Sequence, residues 1–294
     1  MSQILNQGKG FLKQKMSNEI FYKSIKEIRQ LYQKKEASVL EITNLFLERI
    51  KNLNNELNAF LDIYEQDSKI DGAKADQFYS EGKNTNLTGI IVGLKDLVDV
   101  KDKITSAGSE ILEKNFAKNN AKITDDFQNQ RSVIIGKTNL VEFAFGTLGI
   151  NSNTSTCRNP WDTNRVPGGS SSGSAVAVSA GMCNVAIGTD TGGSVRMPAS
   201  LCGITGFKPS YGVVSRRGVL DLSWSMDHVG PMAKSAEDCL EVMKSISGFD
   251  INDKYSYKSD DNFLKKNMLN RNKIRIGVPK NYFFDDIDLE IKNT

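Results

Sequence analysis

Histidine is almost missing from this chain of 294 residues: His228 stands alone. One imidazole excludes any site built from two or three, such as an H-E-x-x-H zinc centre or a facial triad, and no metal site is expected. Cysteine is sparse too. Cys157, Cys183, Cys202 and Cys239 stand 26, 19 and 37 positions apart, which fits no C-x-x-C metal or redox pattern. Cys183 and Cys202 lie among small apolar residues, so reduced, buried thiols in a cytoplasmic protein are expected. No run of 18 apolar residues occurs, which excludes a membrane-spanning helix. An excess of one charge is lacking as well. With 38 Lys plus Arg against 35 Asp plus Glu the net charge is +3, and direct nucleic-acid binding is not expected.

What is present fits a globular chain: 39% hydrophobic and 25% charged residues, enough for one large domain or two ordinary ones. Residues 1–18 carry lysines and no acid, and read as a loose tail, with Met16 a second candidate start. Phe21, Ile25, Ile28 and Tyr32 recur at helical spacing, and Ser38 with Glu41 forms a capping box ahead of a stripe of Val39, Ile42, Phe46, Ile50 and Leu53. Three β-branched runs, Gly89–Leu94, Ser132–Gly136 and Cys183–Gly188, read as buried strands. A charged stretch between the first two can hold a helix. The alternation predicts an α/β fold, a sheet with helices packed on it. Ser235 and Asp238 cap a further helix that Gly248 ends, Lys273–Val278 reads as another strand, and 288–294 as the first turn of a helix.

Composition shifts after residue 145. From Gly146 to Pro231 lie 14 of the 24 glycines and 5 of the 6 prolines. Within Val166–Phe207 only Asp190 and Arg196 are charged. Interleaved Val, Ile, Met and Leu distinguish this stretch from a linker, so it reads as closely packed interior backbone with its two charges paired.

Three features there and upstream can carry chemistry. The loop G-G-S-S-S-G-S at 168–174 opens a helix of small residues closed by Gly181. Alone it reads as a glycine turn with N-capping serines. It also spells G-x-S-x-G around Ser171, but a nucleophile elbow needs a preceding strand, which 164–167 does not provide, and His228 is its one available base. The second feature, G-T-D-T-G-G-S-V-R-M-P at 188–198, converges several N–H groups beside a serine. That suits an oxyanion site or, equally, a tight turn held by an Asp190–Arg196 ion pair. The third is Lys95, at the end of a strongly apolar strand. Burial there lowers its pKa and makes it a usable base, whereas a lysine at a strand end can instead snorkel to water. A serine hydrolase without a histidine base can use a lysine, and Lys95, Ser170 and Ser194 together supply base, relay and nucleophile.

Here the chain resembles the amidase signature family. The run Gly168–Ala199 fits the signature throughout, and G-L-K-D at 93–96, I-G-K-T-N-L-V-E-F-A at 135–144, G-F-K-P-S-Y-G-V-V-S-R at 206–216 and M-D-H-V-G-P-M at 226–232 match its flanks. The resemblance implies one domain over 19–294, a mixed β-sheet core covered by helices, incomplete at its C-terminal portion. It implies Lys95 as base, Ser170 as bridging serine with a cis peptide bond before it, and Ser194 as nucleophile. Thr191, Gly192, Gly193 and Ser194 would form the oxyanion hole, with Asp190 and Arg196 in support. No cofactor is implied.

The leading expectation is a cytoplasmic amidase hydrolysing a small-molecule carboxamide to acid and ammonia, as a homodimer if it is an oligomer. A second reading is the A subunit of a glutamyl-tRNA amidotransferase, working with partner subunits. The G-G-S-S-S-G-S and S-W-S-M-D-H-V-G-P runs favour the hydrolase. A third reading is an inactive, truncated fragment with an open sheet edge and exposed apolar surface.

Overall fold

The computed structural model describes residues 19–258, 275 and 277–293. The chain divides into two compact units, residues 1–259 and 260–294. The tail expected over 1–18, with Met16, lies outside the described residues.

Reciprocal capping opens the first two helices. Ser24 and Glu27 start α1 (Ile25–Gln33), and Ser38 and Glu41 start α2 (Val39–Leu57). The capping box places the start of α1 after Phe21, which sits in the preceding turn and packs edge-on against Phe46, ring centroids 5.3 Å apart. Then follow β1 (Phe60–Ile63), α3 (Glu65–Ser80), β2 (Ile91–Lys95), α4 (Lys122–Asn129), β3 (Val133–Thr138) and α5 (Ser172–Ser179). The first unit continues through β4 (Val185–Asp190), α6 (Arg196–Leu201), β5 (Thr205–Gly206), β6 (His228–Ala233) and α7 (Ala236–Ile246), whose N-cap is Ser235.

The six strands form one sheet in the order β1-β3-β2-β4-β6-β5. β3, β2 and β4 run parallel; β1 and β6 join antiparallel, and β5 pairs antiparallel with β6. The expected mixed sheet is therefore present, and the three strands read from the sequence are its centre. Each lies one or two residues later than the apolar run suggested, because pairing extends into Lys95, Thr138 and Asp190. Every position of these three strands is buried, as parallel strands covered on both faces must be. One edge strand, β5, is two residues long, and Phe207 just beyond it is exposed.

α5 is buried from Ser172 to Val178 and packs on the central strands. Its small residues are what permit this. A Cβ on Gly173 would stand 2.3 Å from the Ala59 carbonyl oxygen and 2.4 Å from the Asn139 nitrogen.

In the second unit the expected final helical turn is α8 (Leu289–Asn293). Of the strand expected at Lys273–Val278, the described residues Arg275, Gly277 and Val278 carry no strand, and the rest lies outside the described residues.

Candidate active site

β2, β4 and α5 bring the sequence candidates to one place. Lys95, the last residue of β2, is fully buried, and its Nζ is hydrogen-bonded to Ser170 Oγ at 2.8 Å and to Thr189 Oγ1 at 2.7 Å. No carboxylate touches it among the described residues. Burial pushes the Lys95 ammonium down to about 7, against the pull of the Asp227 and Asp190 carboxylates. Snorkelling is therefore excluded: the amine ends on two hydroxyls inside the protein.

A second buried lysine shows the alternative. Lys137, on β3 beside β2, sits 2.8 Å from Asp96 Oδ1 and donates to the Ile104 carbonyl and the Thr105 hydroxyl at 3.0 and 3.1 Å. Asp96 also takes the Ser106 N–H at 2.9 Å. Lys137 has its counterion; Lys95 has none in contact.

The peptide bond between Gly169 and Ser170 is cis, as the resemblance implies. Ser170 is fully buried and precedes α5. The next residue, Ser171, ties this loop to β4. Its hydroxyl donates to the Thr189 carbonyl at 3.1 Å and accepts the Thr189 N–H at 3.2 Å. The nucleophile-elbow reading of Ser171 with His228 fails on this geometry. Ser171 is buried and spends its hydroxyl on main chain, no strand precedes it, and His228 Nδ1 lies 3.0 Å from the Asp190 carbonyl instead.

Ser171 N–H donates to the Ser194 carbonyl at 3.2 Å, so the glycine loop after β4 passes directly beside the serine loop. The Ser194 hydroxyl has no hydrogen-bond partner among the described residues, and it is not bonded to Ser170. Ser194 is largely buried but not sealed, at 8% exposure.

Asp190 organises the loop. Its oxygens accept the N–H groups of Gly193 at 2.8 Å and Val195 at 3.2 Å, and the Arg196 guanidinium grips both oxygens at 2.9 and 3.0 Å. Burial works to raise this carboxyl, but Arg196 and the two N–H groups hold it below the usual carboxylate range. The tight turn held by an ion pair and the converging donors are one structure. One part of the sequence expectation is corrected: Gly193 does not offer its N–H to the site, because Asp190 takes it. The N–H groups of Thr191, Gly192 and Ser194 donate to no described group.

Two residues here escaped the sequence reading. Thr189 is the second partner of the Lys95 amine. Asp227 accepts the Thr191 hydroxyl at 2.6 Å. A buried lysine needs more than one polar partner, and that need was the available signal for Thr189. Among the described residues no group of three or more His, Cys, Asp or Glu is placed to hold a metal ion. All four cysteines are free and buried, and no described helix is long and apolar enough to cross a membrane.

The chain is similar to the glutamyl-tRNA(Gln) amidotransferase A subunit of Marinomonas sp., 43% identical over 273 residues, covering 92% of this chain and 56% of that protein. Among solved structures it resembles the native peptide amidase of Stenotrophomonas maltophilia at 34% identity and a TM-score of 0.75, covering 78% of this chain and 49% of that one. It also resembles the glutamyl-tRNA(Gln) amidotransferase A subunit of Thermotoga maritima at 38% identity and a TM-score of 0.72, covering 82% and 50%. The chain thus spans about half the length of the relatives it matches. The family model described as Amidase matches residues 41–294, and with this sheet, this serine loop and this lysine the chain belongs to the amidase family.

Proposed function

We propose that this chain carries the acyl-transfer apparatus of a serine amidase, with Ser194 as nucleophile, Ser170 as proton relay and Lys95 as base. The observation that carries this is the Lys95 amine: fully buried, without a contacting carboxylate, and 2.8 Å from Ser170 Oγ. With its ammonium pushed down to about 7, a large fraction is neutral near neutral pH, which a base requires. The open Ser194 hydroxyl supports its role. Hydrogen bonds between catalytic groups are often long without substrate and tighten when it binds.

In this reading the neutral amine draws a proton through Ser170 from Ser194. Ser194 Oγ attacks the amide carbon, and the N–H groups of Thr191, Gly192 and Ser194 hold the oxyanion. The proton returns through Ser170 to the amide nitrogen, the carbon–nitrogen bond breaks, and ammonia leaves. Water then adds to the acyl-enzyme and releases the acid.

The amide itself has two readings. The local serine and Met226–Pro231 runs favour a small carboxamide, and the likeness to a peptide amidase supports an independent hydrolase. Likeness over 92% of the chain to an amidotransferase A subunit favours glutamine as ammonia donor, with partner subunits in the cytoplasm. The second reading rests on the longer match and is the better supported.

A fluorophosphonate probe tests the apparatus. It should label the protein at Ser194, and Ser194→Ala should remain unlabelled. Equal labelling of that variant ends the assignment. Ammonia release across a panel of amides, glutamine included, then separates the substrate readings.

A further inference from the structure

Residues 227 and 228 hold the turn that follows β4. His228, the first residue of β6, pairs with Asp190 across the sheet, and its ring meets the Asp190 carbonyl. Asp227 takes the position before it. Its Oδ1 accepts the Thr191 hydroxyl at 2.6 Å, and its Oδ2 accepts the N–H groups of Leu222 and Ser223 at 2.8 and 2.9 Å. The residue is 6% exposed, and among the described residues its carboxylate makes no ion pair.

A buried carboxylate without a cation is costly unless hydrogen bonds replace its water. Three donors converge on this one, two N–H groups on one oxygen and the Thr191 hydroxyl on the other. An amide in its place could keep the two N–H bonds on its oxygen, but its NH2 would have to donate to the Thr191 hydroxyl, reversing that bond and removing the charge. The three donors come from two loops. Thr191 belongs to the glycine loop of the candidate oxyanion site. Leu222 and Ser223 belong to a segment anchored beside the end of β2, where Leu220 N–H donates to the Leu97 carbonyl at 2.9 Å, two residues past Lys95.

We propose that Asp227 is a positioning residue for the acyl-transfer step: by clamping Thr191 to the 220–223 segment it fixes the donor loop against the strand that carries Lys95. This rests on the triad reading above. It concerns the placement of the donors and adds no group in contact with the substrate.

The same carboxylate acts on Lys95 through space. The charged and titratable groups around that amine are Asp227, Asp190 with Arg196 on it, His228 beside Asp190, and the Lys137–Asp96 pair on the neighbouring strand. Asp227 favours the ammonium form. Neutralising it makes the amine lose its proton more easily, so the acidic limb of the reaction moves to lower pH.

The test is the rate of fluorophosphonate labelling at Ser194 against pH, for the wild-type chain, Asp227→Asn, Asp227→Ala, Thr191→Ser and Thr191→Val. Misplaced donors should slow labelling by roughly 10- to 100-fold in Asp227→Ala and by less in Asp227→Asn, whose NH2 can still reach the Thr191 hydroxyl. The acidic midpoint should move to lower pH in Asp227→Asn, a change that general loosening would not produce. Thr191→Ser keeps the hydroxyl and should recover most of the labelling rate that Thr191→Val loses, while Thr191→Val should match Asp227→Ala, with no further loss when the two are combined. If Asp227→Ala does not fold, the Thr191 pair decides: wild-type labelling of Thr191→Val overturns the clamp. A labelled wild type alongside Asp227→Asn of equal rate and equal midpoint refutes the role of Asp227 alone. A wild-type chain left unlabelled refutes the triad reading and this proposal with it.

Discussion

Replacing either buried lysine by methionine should change stability with opposite signs. Lys95 is fully buried, and burial takes its ammonium from 10.5 to about 7. Between those values the unfolded chain binds a proton that the folded chain refuses. Stability from this group is therefore lowest at and below pH 7, and rises with pH towards 10.5. At about 1.4 kcal/mol per unit, the lysine costs the folded state roughly 4–5 kcal/mol by pH 7. Methionine keeps the stem and removes that cost. It also gives up the bonds to Ser170 and Thr189, worth about 1 kcal/mol each. The balance for Lys95→Met is a gain of roughly 2–3 kcal/mol at pH 7. That is a melting temperature higher by roughly 4–12 °C for a domain of this size. Near pH 9.5 the remaining charging cost is about 1.4 kcal/mol, the lost bonds cancel it, and the difference closes.

Lys137→Met instead strands the Asp96 carboxylate, 2% exposed, with only the Ser106 donors. Breaking a buried pair from one side costs roughly 3–5 kcal/mol, so melting should fall by roughly 6–20 °C at both pH values. Thermal unfolding followed by far-ultraviolet circular dichroism at pH 7 and pH 9.5 reads both variants. A Lys95→Met chain that melts at pH 7 as far below wild type as Lys137→Met refutes the reasoning. Its lysine would then be charged and paired, and no base. If the expected signs are found, the fold carries a destabilising amine at the place where the proposed acyl transfer requires one.

Much of this was legible because the informative residues are confined by sterics. The central strands announced themselves as β-branched runs, and their ends were misjudged by one or two residues because Lys95, Thr138 and Asp190 are polar yet sit fully inside the sheet. Apolarity cannot mark a buried polar strand end. Lys95, Ser170 and Asp190 were singled out from motif and burial together, and the structure sets the Lys95 amine against the Ser170 hydroxyl and Arg196 on Asp190. Gly193 was assigned wrongly, since a sequence shows that an N–H exists but not that the Asp190 carboxylate three residues back consumes it. β1, α3 and β6 were not read at all. β6 carries a glycine and a proline, Gly230 and Pro231, which argue against a strand on propensity. Its place beside β4 is a tertiary contact that overrides them. Asp227 stood in a quoted flank, but its three donors come from segments 4 to 36 residues away, a convergence that spacing cannot express.

Two further outcomes follow from packing and charge. Gly173→Ala would force a Cβ to 2.3 Å from the Ala59 carbonyl oxygen, so it should lower the melting temperature sharply or abolish soluble expression. Gly192→Ala, whose Cβ meets nothing within 4 Å, should melt close to wild type, and equal damage from both would show that space is not the constraint. Asp190→Ala should unseat the glycine loop. The carboxylate is fully buried and serves Gly193, Val195 and Arg196, so its removal leaves interior donors unmet, at roughly 2–4 kcal/mol in chemical denaturation. Because Arg196 and the N–H bonds hold this carboxyl below its ordinary 3.8, the stability it contributes is fully present above that value. It is lost only as pH falls through the lowered one. The deficit of Asp190→Ala should therefore be constant from pH 5 to pH 8 and shrink only in stronger acid; a deficit already shrinking at pH 5 would mean that Arg196 does not hold the charge.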